Sequence, residues 1–168
     1  VLDNPLSLAE SYSNLGLLHW DKGSYPMALD MIGKALEVET TSSLRRNYGV
    51  DLNNEGLVFK SVGDYASALA SIDQAVEVAR EVQNVRDEAI ALSNRALINR
   101  INGRYDTAES DYEAALRIYS NEAFREGEAS CHLGLGKLYE VRDSNFQKAY
   151  EHYAKALAAY RELDNPGY

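Results

Sequence analysis

The chain has 168 residues, 45% hydrophobic and 26% charged, enough for one compact domain or one short repeat array and ordinary for a folded protein. Three prolines and eleven glycines are too few for a disordered or collagen-like chain, and no apolar run approaches the roughly 20 residues that cross a bilayer. The 26 acidic and 17 basic residues leave a net charge of −9, which repels phosphate backbones and argues against general nucleic-acid binding.

The chain opens with Leu2-Asp3-Asn4-Pro5, an Asn able to cap a helix and a Pro suited to its first position. The first helix carries Asn14-Leu15-Gly16 and stops at Lys22-Gly23; a second begins at Tyr25 and bears Ala28, Ile32 and Ala35 on one face. The same order then returns. Leu52, Glu55, Gly56 and Phe59 take the i, i+3, i+4, i+7 pattern of a helix. Gly63-Asp64 makes a turn, and Asp64 is placed to cap a helix from Tyr65 to about Val82, striped by Ala68, Ile72, Ala75, Val76 and Ala79. The third copy has Asn94-Arg95-Ala96, a stop at Asn102-Gly103, and Ala108, Tyr112 and Ala115. The fourth has Gly134-Leu135-Gly136, one extra residue within Val141–Asn145, and then Phe146, Ala149, Tyr153 and Ala156. No stretch alternates as a strand does.

These are internal repeats with a period of 40: Gly16, Gly56, Ala96 and Gly136 keep the step, as do Asn14, Asn54 and Asn94, and Tyr25, Tyr65 and Tyr105. The small residues predict close helix approach, where a larger side chain would overpack by about 1–3 kcal/mol. The pattern resembles the tetratricopeptide repeat over about Ala9 to Leu163, on Gly16, Tyr25, Ala28, Ile32 and Ala35 and their counterparts in the later copies. Its 40-residue period and Asn14-Leu15-Gly16 are similar to the longer-helix type found in kinesin light chains, Pins-type scaffolds and bacterial regulators. The resemblance implies an all-α fold, a right-handed superhelical solenoid of four helix-turn-helix hairpins. The repeats would span residues 9–48, 49–88, 89–128 and 129–165, with 166–168 the start of a further one.

The residues give little support for catalysis. His19 and His132 sit at positions that are aromatic or large in the repeat, so packing explains them. Cys131 and His132 are helix neighbours that point apart and make no dyad. One cysteine excludes an internal disulfide and a Cys-based zinc cluster, and it fits a reducing, cytoplasmic compartment, as does the absence of a secretory n- or h-region in the opening residues. Gly134-Leu135-Gly136-Lys137 lacks the spacing and preceding strand of a phosphate loop. Asp106, Glu109, Asp111 and Glu113 read as a solvated helix face. No enzyme, metal site or cofactor is expected.

The Asn column is the better lead. In the family the first helices line the concave side of the superhelix. Asn14, Asn54 and Asn94 would lie there, each able to donate to and accept from a peptide backbone. Leu17, Val50, Leu57, Ile90 and Leu97 would supply apolar anchors, and Lys60, Arg100 and Lys137 could meet an acidic side chain or a terminal carboxylate. The alternative is that the Asn side chains bond neighbouring helices and fix their stacking. Glu55 and Arg95, one period apart, suggest an ion pair between adjacent hairpins.

Leu163-Asp164-Asn165-Pro166 repeats the opening motif at the same phase, and the last helix, from Gln147 to Leu163, keeps apolar Ala154, Leu157, Ala158 and Tyr160. Repeat arrays usually end on a polar face. The expectation is therefore a non-enzymatic module that binds a protein or peptide ligand, within a longer protein. The alternatives are self-association through the array ends, or a sensor segment of a larger regulator.

Overall fold

A computed structural model describes residues 4–41, 44–142 and 145–164. Among the described residues there are eight helices and no strand: α1 (Pro5–Asp21), α2 (Tyr25–Thr41), α3 (Arg45–Val62), α4 (Tyr65–Glu81), α5 (Val85–Ile101), α6 (Tyr105–Asn121), α7 (Arg125–Arg142) and α8 (Phe146–Asp164). The extra residue expected within Val141–Asn145 falls partly, and the closing Asn165–Tyr168 motif wholly, outside the described residues.

Local chemistry sets the helix ends. Asn4 caps α1 by accepting from the Leu6 amide at 3.2 Å, with Pro5 at the first position. Asp64 caps α4 by accepting from the Ser67 amide at 3.1 Å, and Asn145 does the same for α8 from the Lys148 amide at 3.1 Å. Inside hairpins the chain reverses through Gly23, Gly63 and Gly103 at φ 72°, 83° and 76°, a left-handed conformation that glycine adopts without steric cost. Gln83 and Ala123 adopt it at the links that follow α4 and α6, at φ 56° and 52°.

The chain divides into two compact units, Val1–Asp87 and Glu88–Tyr168. In the first, α1 packs on α2, α2 on α3, and α3 on α4. Ala28, Ile32 and Val58 form a fully buried cluster flanked by Trp20, Tyr25, Leu29 and Leu36, so α3 sits on the same α2 face that carries Tyr25 and Leu29. Gly16 and Gly56 make the hairpins tight. A Cβ at Gly16 would lie 2.6 Å from Ile32 Cγ1, and one at Gly56 would lie 2.9 Å from the Ala68 carbonyl oxygen. In the second unit α6 packs on α7 and α7 on α8. Ala96, Ile98, Ala108, Leu135 and Leu138 are fully or almost fully buried there, and a Cβ at Gly136 would meet Tyr153 Cδ1 at 2.6 Å.

One expectation changes. Asp111 and Glu109 do not belong to a solvated face. Asp111 is buried and takes a bidentate pair from Arg95, at 2.6 and 2.8 Å. Glu109 accepts from Arg142 at 2.6 Å and from the Tyr139 hydroxyl. Asp106 and Glu113 do lie exposed. Of the four turn-following aromatics, Tyr25, Tyr65 and Tyr105 are half-buried, whereas Phe146 is 69% exposed. Glu55 and Arg95 each reach the second helix of their own hairpin, Glu55 accepting from Ser71 Oγ at 2.6 Å and Arg95 donating to Asp111.

The glycines should separate by substitution. Gly56→Ala forces a Cβ against backbone and should cost about 1–3 kcal/mol. Gly33→Ala, on α2 with nothing within 4 Å of the new atom, should stabilise by about 0.5–1 kcal/mol through helix propensity. Urea unfolding followed by circular dichroism checks both signs.

Candidate functional site

A small hollow lies among the described residues of each unit. In the second unit it holds about 190 Å³ and is lined by Ser93, Asn94, Leu97 and Arg100 of α5, Tyr112 of α6, and Ser130, Leu133, Gly134 and Lys137 of α7. Burial pushes the Tyr112 hydroxyl above its ordinary pKa, while its hydrogen bond with Arg100 pulls it down. The hollow thus joins an amide, two cations, a phenol and leucine side chains. In the first unit a hollow of about 260 Å³ is lined by Glu10, Ser13 and Asn14 of α1, Glu39 of α2, and Asn47, Val50 and Asp51 of α3.

The hollow of the first unit is acidic. Asp51 and Glu39 are each 3% exposed. Burial raises the Asp51 pKa, opposed by hydrogen bonds from Ser13 Oγ at 2.5 Å and Asn54 Nδ2 at 3.1 Å. Burial, and then the charge of Asp51, push Glu39 up to about 8. The first unit therefore offers carboxyl groups where the second offers cations.

The eleven residues expected to line a groove separate clearly. Asn94, Leu97, Arg100 and Lys137 share the second hollow; Asn14 and Val50 share the first. Leu17, Leu57, Lys60 and Ile90 are half-buried and lie outside both linings. Burial lowers the Lys60 pKa. Asn54 also lies outside, and its amide donates to Asp51 on its own helix. Sequence reading missed Glu39 and Asp51, whose signal was a carboxylate at a position that is apolar in other copies: Ala79, Tyr119 and Tyr160 match Glu39.

Gly134 takes the place of the fourth Asn for a packing reason. A Cβ there would lie 2.6 Å from Tyr112 Cε1. The ring of α6 fills the space that an Asn on α7 would need. Gly134→Asn should therefore destabilise by about 1–3 kcal/mol by overpacking. Adding Tyr112→Ile, the residue type that Ile32 and Ile72 supply at this position, should recover part of the loss. A double-mutant cycle in unfolding free energy measures the coupling.

The remaining reactive side chains are occupied by structure. Cys131 is fully buried and its thiol is pushed up to about 12 by burial, far from a reactive thiolate. Among the described residues no group of three or more His, Cys, Asp or Glu side chains could hold a metal ion. His132 and His152, unpaired in the sequence reading, face each other across α7 and α8 with Nδ1 atoms 3.1 Å apart. Burial, and then the neighbouring His152 and Lys155, lower His132 to about 4; burial and Lys155 lower His152 as well. The unfolded chain then binds more protons below its His pKa of about 6.5, so the pair's contribution is lost as pH falls from there toward 4. Glu39 acts with the opposite sign, weakening the fold as pH rises from about 4.5 toward 8. His132→Gln isolates the first effect. The stability of wild type minus that of the variant should decline between pH 6.5 and 4.5, by chemical unfolding at each pH.

Paired helices with small residues at close approach and side-chain-sized hollows between them define a helical-hairpin repeat scaffold. The tetratricopeptide repeat family model matches residues 7–81 and 87–162, and the chain belongs to that family. It is a non-catalytic scaffold of the kind that serves protein–protein interaction. No curated protein matches the chain in sequence. Among solved structures it is similar to BtubC (BKLC) from P. vanneervenii, with TM-score 0.84 and 22% identity over 98% of this chain and 67% of that one. It is also similar to aspartyl phosphate phosphatase F from Bacillus subtilis, with TM-score 0.89 and 14% identity over 98% of this chain and 43% of that one. MamA follows with TM-score 0.70 and 20% identity over 94% and 81%. The chain spans less than half the length of the phosphatase, and at these identities the likeness concerns the fold. No described helix is long and apolar enough to cross a membrane.

Proposed function

We propose that the four repeats, at 9–48, 49–88, 89–128 and 129–165, form a superhelical array that binds an extended peptide or a partner helix against its first helices. Asn14, Asn54, Asn94, Leu17, Val50, Leu57, Ile90, Leu97, Lys60, Arg100 and Lys137 are its groove residues in this reading. The observation that carries it is the second unit's hollow, where Asn94, Leu97, Arg100 and Lys137 converge. A volume of about 190 Å³ is below the roughly 300–1,000 Å³ of pockets for drug-sized ligands, and it suits a single side chain of a peptide. The cations favour an acidic side chain or a terminal carboxylate there, and Asn94 can address the adjoining backbone. The acid-lined hollow of the first unit favours a basic side chain.

Magnitudes set what the groove must supply. Each net hydrogen bond contributes about 0.5–1.5 kcal/mol, whereas micromolar affinity needs about 8 kcal/mol. Apolar burial on Leu97 and its counterparts has to make up most of the difference. The buried thiol of Cys131 suits a reducing compartment, and we place the chain in the cytoplasm.

The test is capture with the 168-residue chain, mapping of the bound segment, and titration of that peptide. Lys137 is exposed, so Lys137→Glu should leave the melting temperature unchanged and weaken the mapped peptide about tenfold. Neutralising the peptide's acidic group should remove the difference between wild type and variant. An affinity indifferent to Lys137→Glu and to Leu97→Ala would overturn the groove.

A further inference from the structure

The second unit's hollow departs from the repeat at the positions that give it charge. Leu17, Leu57 and Leu97 stand one period apart, and the next step is Lys137. The hollow joins Lys137 to Arg100 of the preceding copy. One repeat earlier in the sequence the corresponding residues are Leu97 and Lys60, and one before that Leu57 and Trp20. The last pair alone is doubly cationic, and among the described residues no carboxylate lines the hollow.

Arg100 brings an unmet requirement to this space. Its Nε is buried and has no hydrogen-bond partner among the described residues, and a buried charged donor without an acceptor is costly. Arginine only donates, so in the Arg100–Tyr112 hydrogen bond the hydroxyl oxygen accepts. The Tyr112 O–H is left to donate elsewhere, on a side chain only 3% exposed. Lys137 is exposed and carries three donors of its own. Side chains of α5, α6 and α7 thus bring donors to one hollow of about 190 Å³. Gly134 to Lys137 lie inside α7, where backbone amides are used by the helix, so an anion here is held by side chains.

We infer that the hollow takes a phosphate monoester dianion, carried by a phosphorylated side chain of the bound peptide. Phosphoserine has a charge of about −1.5 to −2 at pH 7 and three strong acceptor oxygens, which match two cations and a phenol. A carboxylate brings one charge and leaves one cation unmatched. The volume of about 190 Å³ is too small for a nucleotide, which needs a pocket of at least roughly 300 Å³. With the phosphate on Arg100, Lys137 and Tyr112, Leu97 is left for the carbon that carries it and Asn94 for the adjoining backbone. The peptide is the one proposed above, so the inference rests on the groove reading and deepens it.

Nuclear magnetic resonance on the 168-residue chain, isotopically labelled at its arginine side chains, tests it without that peptide. The probes are the N-acetyl amide of phosphoserine, the N-acetyl amide of aspartate, and inorganic phosphate, at about pH 7.5, where the phosphates are largely dianions. The Arg100 Nε–H resonance, identified by its loss in Arg100→Lys, should move saturably with the phosphoserine amide. That amide should bind about tenfold more tightly than the aspartate amide. Lys137→Gln, at an exposed position, should remove most of this preference, and Tyr112→Phe should weaken the phosphoserine amide about threefold. Circular dichroism melting confirms that the variants fold, and Lys137→Gln carries the test where Tyr112→Phe does not. Inorganic phosphate has no carbon for Leu97 and no amide for Asn94, and should bind more weakly; equal binding overturns the assignment to a side chain. An Arg100 resonance that no probe moves overturns the inference, as does an aspartate amide that binds as tightly, or a preference that survives in Lys137→Gln. The groove is judged apart from this, by the response of the mapped peptide to Leu97→Ala, so either reading can fail alone.

Discussion

The close approach of the two helices in a hairpin is the constraint on which the rest depends. At Gly16, Gly56 and Gly136 a neighbouring side chain, Ile32, Ile72 or Tyr153, already stands where a Cβ would go. The facing Ala28, Ala68 and Ala149 are nearly or wholly buried. With the backbones this near, few rotations of one helix against its partner remain possible without overlap. That fixes which residues of each helix turn outward to the next hairpin and which turn to solvent. The capped starts at Asn4, Asp64 and Asn145 then set where each helix begins along that contact.

Buried polar pairs reinforce the alignment. The bidentate Arg95–Asp111 pair links α5 to α6 with side chains 23% and 8% exposed. Arg142 and Tyr139 meet Glu109 between α7 and α6. Such pairs give modest net stability, because desolvation offsets most of the attraction. Removing one partner would leave a buried charge unmatched, so a sliding of either helix is penalised. Glu55–Ser71 and Arg95–Asp111 both bridge residues 16 apart, the same span between the helices of a hairpin in two different copies. One repeat position thus serves as a polar bolt of either sign.

The features legible in the sequence are those imposed by backbone geometry. Gly63 needs its left-handed turn, as Gly23 and Gly103 do, Asp64 its cap, and Gly56 its missing side chain, as Gly16 and Gly136 do; each requirement selects a residue type. What the sequence concealed depends on which way a side chain turns in three dimensions. Asp111 belongs to an acidic run that looks solvated, and burial of its carboxylate depends on Arg95 reaching it from another helix. His132 and His152 are 20 residues apart with no shared motif, and the α7–α8 packing alone brings them together. Asn54 looks identical to Asn14 and Asn94 in register, yet Asp51, one turn earlier, engages its amide.

The difference between the hollows arises at the junctions between hairpins. Glu39, Asn47 and Asp51 in the first unit match Tyr119, Gly127 and Cys131 in the second. Glu39, Asp51, Tyr119, Gly127 and Cys131 are all buried. In the second unit the Tyr119 ring packs so close to Gly127 that a Cβ there would lie 2.6 Å from it, and the junction closes with apolar contact. In the first unit the matching carboxyl and amide leave acid-lined space instead. The neighbouring helix holds the close-approach position inside hairpins to Gly or Ala. Junction positions can exchange ring for carboxyl while the helix pairs on either side stay intact. A scaffold of this kind can change the chemistry of its hollows where hairpins meet, because that is where packing tolerates a change of residue.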